Sequence, residues 1–321
     1  MTERMRAVQQ DEWGGPGTMR VAEVDRPEPV FGEVLVKVAA AGVNPVDTFT
    51  REGVAYNRVL SLPFVNGWDV AGVVERVGYG TTLFRPGDRV FGMPWFPREA
   101  GAYAEYVTAP ARHFAAVPEE LSLTEAAALP LAGLTAWQML VDVAGVRPGD
   151  RVLVSGAAGG VGHLAVQLAK HFGAHVIGTA RAEKHAFLAE LGVDEAIDYT
   201  TTDLAGTVTD IDVAIQMFGG EAGLRALETL RPGGILVSGQ AAWTPGMDRR
   251  AAELGVRASD FLVEPDHTGL VALADLVRKG RLKVHVEAEL PLAEAVEAHR
   301  LVETGRTTGK IVLTVGERDD V

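Results

Sequence analysis

The 321-residue sequence contains no cysteine. That absence removes disulfides, thiolate nucleophiles, redox thiols and every zinc site built on sulfur, leaving only histidine and carboxylate ligands for a metal. The chain also lacks any run approaching the ~18 uninterrupted apolar residues of a membrane helix. Its opening, MTERMRAVQQDEWGG, mixes both charges and has neither an apolar core nor a small-residue cleavage site, so it does not read as a signal peptide and the cytoplasm is the expected location. Positive charge is in deficit: 30 Lys and Arg against 43 Asp and Glu give a net charge of −13. Such a balance repels nucleic acid and anionic membrane over most of the surface, yet leaves room for a local basic pocket that binds a phosphate. Internal repeats, linkers and low-complexity tracts are missing too. The eight histidines form no dyad, Ser-His-Asp arrangement or metal-ligand spacing. His163, His171 and His175 lie on or beside one predicted helix, while His113, His185, His267, His285 and His299 are scattered. All are read as structural, and no metal ligand is assigned.

What is present is a globular chain, 47% apolar and 23% charged, long enough for two domains. Its first third reads as short strands, with alternation clearest at Val34, Val36 and Val38, then Val70, Val73 and Val74, then GAYAEYV ending at Val107. Turn signals at Gly14 to Gly17, Pro27 to Gly32 and Arg85 to Asp88 suggest a barrel-like β domain. From about Leu123 the character changes. Short apolar runs (Arg151 to Ser155, His175 to Thr179, Ala196 to Asp198, Ile211 to Met217, Ile235 to Ser238) alternate with amphipathic helices, a rhythm that implies a parallel, doubly wound sheet. The tail offers helices over about His267 to Lys279 and Leu292 to Thr304 and a last strand, Lys310 to Val315, expected to return to the first domain.

The sharpest motif is VLVSGAAGGVGHLAVQLAK, Val152 to Lys170: a strand, a Gly-rich turn and a helix, the context a dinucleotide fingerprint requires. Against G-x-G-x-x-G it supplies Ala157, Gly159 and Gly162, so the first glycine is missing. Gly159 lets backbone approach a pyrophosphate, Gly162 lets helix and strand pack closely, and N–H groups around Gly160 and Val161 hold negative charge. Ala158, Gly159, Gly160 and Val161 are therefore assigned to the cofactor; the alternative is a tight turn without a ligand. After the next strand come Thr179, Ala180 and Arg181, with Lys184 one turn on. An NAD enzyme places a carboxylate there, whereas Arg181 and Lys184 suit a 2′-phosphate, so NADP(H) is the expected cofactor. They also read as solvated helix-start cations, and Glu183 between them weakens the basic character.

Six motifs, GEVLVKVAAAGVNPVD, FRPGDRVFG, GAYAEYV, LPLAGLTAW, SGAAGGVG and TTGKIVLTV, occur in an order that resembles the medium-chain dehydrogenase/reductases over nearly the whole chain. Within them the chain is similar to the zinc-independent quinone oxidoreductase branch, which includes zeta-crystallin. The resemblance implies an α/β protein with a GroES-like β-barrel catalytic domain from residues 1–123 and 264–321. A Rossmann NADP-binding domain would occupy 124–263, with the cofactor in the intervening cleft and a homodimer as the common assembly. Where zinc relatives carry ligands in G-V-C and G-H-E, this chain has Asn44 and then Trp68-Asp69, so a zinc alcohol dehydrogenase is a poor reading. The resemblance places Asn44 beside the nicotinamide and the substrate oxygen and makes Tyr56 the active-site tyrosine. Plainer roles are a turn at Asn44-Pro45, a cap at Asp47 and a rim aromatic at Tyr56. By the same resemblance Thr135, Tyr199, Gly239, Gln240 and Lys310 touch the cofactor, and Phe218, assigned with them, gives the cleft an apolar lining together with Trp68 and Trp243. The expected activity is NADPH-dependent reduction of a quinone. The alternatives are reduction of an α,β-unsaturated carbonyl compound (alkenal, enone or enoyl thioester) and NADPH binding without turnover.

Overall fold

The computed structural model describes residues 3–316; the first two and last five residues of the expected outer segments lie outside them. By contacts the chain divides into two units, one of residues up to 134 together with those from 264 on, the other of 135–263. The α/β class with a doubly wound parallel sheet is what the chain forms.

In the second unit six parallel strands lie in the order Glu195–Asp198, His175–Ala180, Arg151–Val154, Ile211–Gln216, Leu230–Ser238, Arg257–Asp260. Numbered along the chain this is 3-2-1-4-5-6, with the order reversing between Arg151–Val154 and Ile211–Gln216, where such sheets bind ligands. The central strands are apolar on both faces: Val152, Leu153, Val154, Val176 and Ile177 are fully buried, as a sheet covered on both sides requires. The helix Gly162–His171 follows the first strand and buries Leu164, Ala165, Leu168 and Ala169, the face its spacing predicts. The helix Met247–Leu254 and the edge strand Arg257–Asp260 have no counterpart in the sequence reading. That strand lacks apolar alternation because its residues are exposed or only half-buried.

The first unit is built on the strand Glu33–Val43, which pairs antiparallel with Asp69–Val77, Tyr106–Pro110 and the chain-terminal strand Lys310–Thr314. Arg89–Gly92, Phe114–Ala116 and Val286–Pro291 complete its seven-stranded sheet, and a three-stranded sheet pairs Arg4–Gln10 with Met19–Asp25 and Phe64–Val65. The expected strand over GAYAEYV is confined to Tyr106–Pro110. Upstream of it, Ala102 and Tyr103 donate backbone N–H groups to Gly67 and Asn66, while Glu105 donates to Arg6, so this stretch joins no single ladder. Among the described residues no helix is long and apolar enough to cross a membrane.

Candidate functional site

Each unit carries one constellation. In the second, the strand Arg151–Val154 runs into the Gly-rich turn. The left-handed residue of that turn is Gly156 (φ 64°), one position before Ala157. This resolves the missing first glycine: Ala157 is not asked for a positive φ, and room for its methyl comes from Gly178 on the neighbouring strand, where a Cβ would stand 2.9 Å from that of Ala157. Gly162 has no such freedom, since a Cβ there would lie 2.2 Å from the Gly156 carbonyl oxygen. Thr179, expected at the cofactor, is 4% exposed, and its hydroxyl accepts the Gly156 N–H at 3.0 Å, holding the turn. Buried His163 donates Nδ1–H to the Gly159 carbonyl at 3.0 Å and steadies the turn from the helix side. The N–H groups of Ala158, Gly160 and Val161 have no acceptor among the described residues, and they sit at the start of a ten-residue helix. These donors fit a pyrophosphate.

Arg181 follows the second strand, half-buried and without a side-chain partner among the described residues. Lys184 ends the single turn Ala182–Lys184, and Tyr199 is half-exposed after the third strand. Asp198, opposite Ala180, gives its carboxylate to the hydroxyl and N–H of Thr200, which hold its pKa below the usual carboxylate range. At the switch point the Phe218 ring, half-exposed, lies over Gly156, where a Cβ would come within 2.8 Å of it. Gly239 donates its N–H to Gln216 and is pressed against Met217 and Met139; Gln240 follows it, accepting a hydrogen bond from Thr244. Thr135 is buried.

The first unit holds a buried polar cluster around Asn44. Asn44 precedes the helix Pro45–Arg51, and its amide Nδ2 donates to Asp69 Oδ2 at 2.9 Å. Its Oδ1 accepts from the ammonium of Lys310, which also donates to the Val43 carbonyl at 3.0 Å and lies 3.4 Å from Asp69 Oδ2. Lys310, expected as a cofactor contact, is 3% exposed and spends its charge here. Asp69 Oδ1 accepts the Leu131 N–H at 2.7 Å. Burial pushes the Asp69 carboxyl up, against the pull of Lys310, Asn44 and Leu131.

From Asn44 the network continues inward. Asp47 Oδ2 accepts the Asn44 N–H at 2.8 Å and the Tyr103 hydroxyl at 2.7 Å. His299 Nε2 lies 3.2 Å from that hydroxyl, and its Nδ1 lies 3.2 Å from Arg51 Nη1. A guanidinium only donates, so Nδ1 accepts and Nε2 carries the proton, giving a chain of donors from Arg51 through His299 and Tyr103 to Asp47. Burial raises the Asp47 pKa to about 7, partly offset by the hydrogen bonds from Tyr103 and Asn44. Burial, then the charge of Arg51, lowers that of His299 to about 3. Asp47 Oδ1 is buried with no hydrogen-bond partner among the described residues.

Tyr56 adopts a left-handed backbone (φ 55°), costly for an aromatic residue, and its ring meets those of Trp68 and Phe96 edge-on at 6.1 and 5.4 Å. Its hydroxyl has no partner among the described residues, and burial raises its pKa, so it remains a donor at neutral pH. Trp68 is 1% exposed and so lines no surface, contrary to expectation; its indole N–H donates to the Arg98 carbonyl and its ring supports Tyr56 and Phe96. The partnership of Asp69 with Asn44, and of Tyr103, His299 and Arg51 with Asp47, had no signal in the sequence reading. Only the neighbourhood of Asp69 to the G-H-E position could have pointed to one of them.

Residues 31–119 match the family described as "Alcohol dehydrogenase GroES-like domain", and residues 191–313 that described as "Zinc-binding dehydrogenase". A 2-haloacrylate reductase from a Burkholderia species is 37% identical over 94% of this chain and 96% of its own. Human quinone oxidoreductase is 33% identical over 96% and 97%. A mycobacterial structure complexed with NADPH is 35% identical, with a TM-score of 0.87 over 97% of this chain and 99% of its own. The family description raises zinc, which the residues do not fit. The Trp68 indole offers no ligand atom, and Asn44 Oδ1 and Asp69 Oδ2 already face an ammonium. Among the described residues no cluster of three or more His, Asp or Glu is arranged to hold a metal.

Proposed function

The chain belongs to the zeta-crystallin-like quinone oxidoreductase branch of the medium-chain dehydrogenase/reductases and is an oxidoreductase, and from that premise we propose that it uses NADPH to reduce a quinone without a metal. The observation that carries this reading is a turn with three N–H donors, and one strand on a guanidinium, that have no partner among the described residues. Ala158, Gly160 and Val161 hold the pyrophosphate, and Arg181 takes the 2′-phosphate in charge-assisted hydrogen bonds. A cofactor held by these residues would supply a hydride, and delocalisation in a quinone would carry much of the charge that develops. The protein's share is to meet that charge. The second N–H of the Asn44 amide, free of Asp69, donates to the acceptor oxygen, and the Tyr56 hydroxyl is a further donor. Thr135, Lys184, Tyr199, Phe218, Gly239 and Gln240 complete the proposed cofactor contacts. Lys310 is moved from that group to the support of Asn44. Location in the cytoplasm and assembly as a homodimer belong to the same reading.

Reduction of an electron-poor alkene is the second reading, supported by the 37% identity to a 2-haloacrylate reductase. Turnover of a naphthoquinone alongside a 2-haloacrylate, with NADPH as donor, separates the two. Faster turnover of the haloacrylate would replace the first reading by the second.

Two substitutions test the assignments. Arg181→Ala removes charge-assisted bonds worth about 1.5 to 3 kcal/mol, so the KM for NADPH rises roughly 10- to 100-fold while that for NADH stays put. An unchanged preference would remove Arg181 from the 2′-phosphate. Asn44→Ala removes a donor at the developing charge, and kcat falls on the order of 100-fold with NADPH affinity kept. Wild-type turnover in that variant would strike Asn44 from the mechanism.

A further inference from the structure

The reaction needs a donor at Asn44, but it does not by itself explain why two opposite charges are buried beside that residue. Lys310 is 3% exposed and Asp69 not at all. Taking both ions out of water costs several kcal/mol each, and a well-packed apolar pair would serve stability as well or better. Their geometry toward the amide supplies the reason. An ammonium only donates and a carboxylate only accepts, so Lys310 must face Oδ1 and Asp69 must face Nδ2. A flipped amide would set NH2 against ammonium and carbonyl against carboxylate. Each ion is anchored in turn. Lys310 is held by the Val43 carbonyl, beside the register pair Ile311 and Val43, and Asp69 by the Leu131 N–H.

We propose that Lys310 and Asp69 are positioning residues that lock the Asn44 amide in one orientation and polarise it, so that its single uncommitted N–H is presented as a strengthened donor to the acceptor oxygen. The proposal rests on the reductase reading above. The ammonium bound to Oδ1 draws electron density through the amide and makes the remaining N–H a better donor, as in any hydrogen-bond chain inside a protein. The misfit to zinc has the same origin: a cation is already present, attached to the chain.

The test is a cycle of Asn44→Ala, Lys310→Met and both together, measured beside the wild type with a naphthoquinone and NADPH. Lys310→Met is expected to lower kcat about 100-fold with the KM for NADPH unchanged. The double variant is expected to be no slower than Asn44→Ala alone, because Lys310 acts only through Asn44. Losses that multiply would overturn the proposal, as a merely destabilising role predicts. The pair Asp69→Asn with Lys310→Met removes both charges, leaves no uncompensated ion and is expected to show the same loss of kcat in a folded protein. A readout without turnover keeps the two readings apart. The side-chain NH2 signals of Asn44 in the NMR spectrum, identified by their loss in Asn44→Ala, are expected to stand downfield of ordinary asparagine positions in the wild type and to move back toward them in Lys310→Met. Unchanged signals there would overturn the locking whether or not any acceptor is reduced. Absence of turnover in the wild type, with that shift seen, would overturn the reductase reading and leave the locking standing.

Discussion

Replacing His299 by glutamine makes the stability of the protein fall, relative to wild type, as pH rises from about 4.5 to 6.5, and replacing Asp47 by asparagine makes it rise, each by about 3 kcal/mol. The two groups lie at opposite ends of one hydrogen-bonded chain through Tyr103. Burial lifts Asp47 from 3.8 to about 7. Its contribution is thus complete below pH 3.8 and is lost as pH rises through 7, because the unfolded chain releases that proton earlier. Burial beside Arg51 lowers His299 from 6.5 to about 3. Its contribution is complete above pH 6.5 and is lost as pH falls toward 3. Between those limits folding takes up one proton at Asp47 and gives one up at His299, so the slopes, each near 1.4 kcal/mol per pH unit, cancel in the wild type. Either substitution unmasks the other group. Glutamine can still accept from Arg51 and donate to Tyr103, and asparagine keeps an acceptor for Tyr103 and Asn44, so the fold is preserved. Urea unfolding of both variants and wild type across this range checks it. Curves that run parallel would show that the pair does not titrate as described.

The second large effect concerns the phosphate turn. Gly162→Ala places a methyl 2.2 Å from the Gly156 carbonyl oxygen and 2.7 Å from the Ala157 Cα, both backbone atoms that cannot swing aside. The helix start must shift, at a cost of about 1 to 3 kcal/mol in stability, and the N–H groups leave their positions, so NADPH binding weakens at least about 100-fold. Gly159→Ala separates the two consequences. Its Cβ meets only the Gly156 carbonyl oxygen, at 3.3 Å, so the fold is kept, but the methyl fills the approach to the pyrophosphate. Binding is lost in both variants and stability in only one. Retained NADPH affinity in Gly159→Ala would place the pyrophosphate elsewhere. Thermal unfolding and NADPH fluorescence titration read the two quantities.

The two constellations differed in how much of them could be read beforehand. The phosphate turn is local: strand, glycines and helix lie within the 19 residues from Val152 to Lys170, and spacing alone assigns Gly159 and Gly162. Its departure at Ala157 could not be understood without Gly178, which belongs to the next strand. The cluster at Asn44 is long-range. Lys310 reaches it because the strand Lys310–Thr314 pairs with Glu33–Val43, and His299 because its helix packs against Pro45–Arg51, contacts across some 250 residues that no periodicity announces. Resemblance therefore pointed to Asn44 but not to what holds it, and His299 was grouped with the structural histidines. Trp68 was misplaced for a related reason: its neighbours Tyr56 and Phe96 come from separate loops and cover it.

Consumption of NADPH by the purified wild-type protein, followed by its absorbance with and without a naphthoquinone, tests the central claim most directly. The account predicts a quinone-dependent loss of absorbance above the uncatalysed rate, falling on the order of 100-fold in Asn44→Ala. Protein that binds NADPH but oxidises none of it in the presence of the quinone would contradict it.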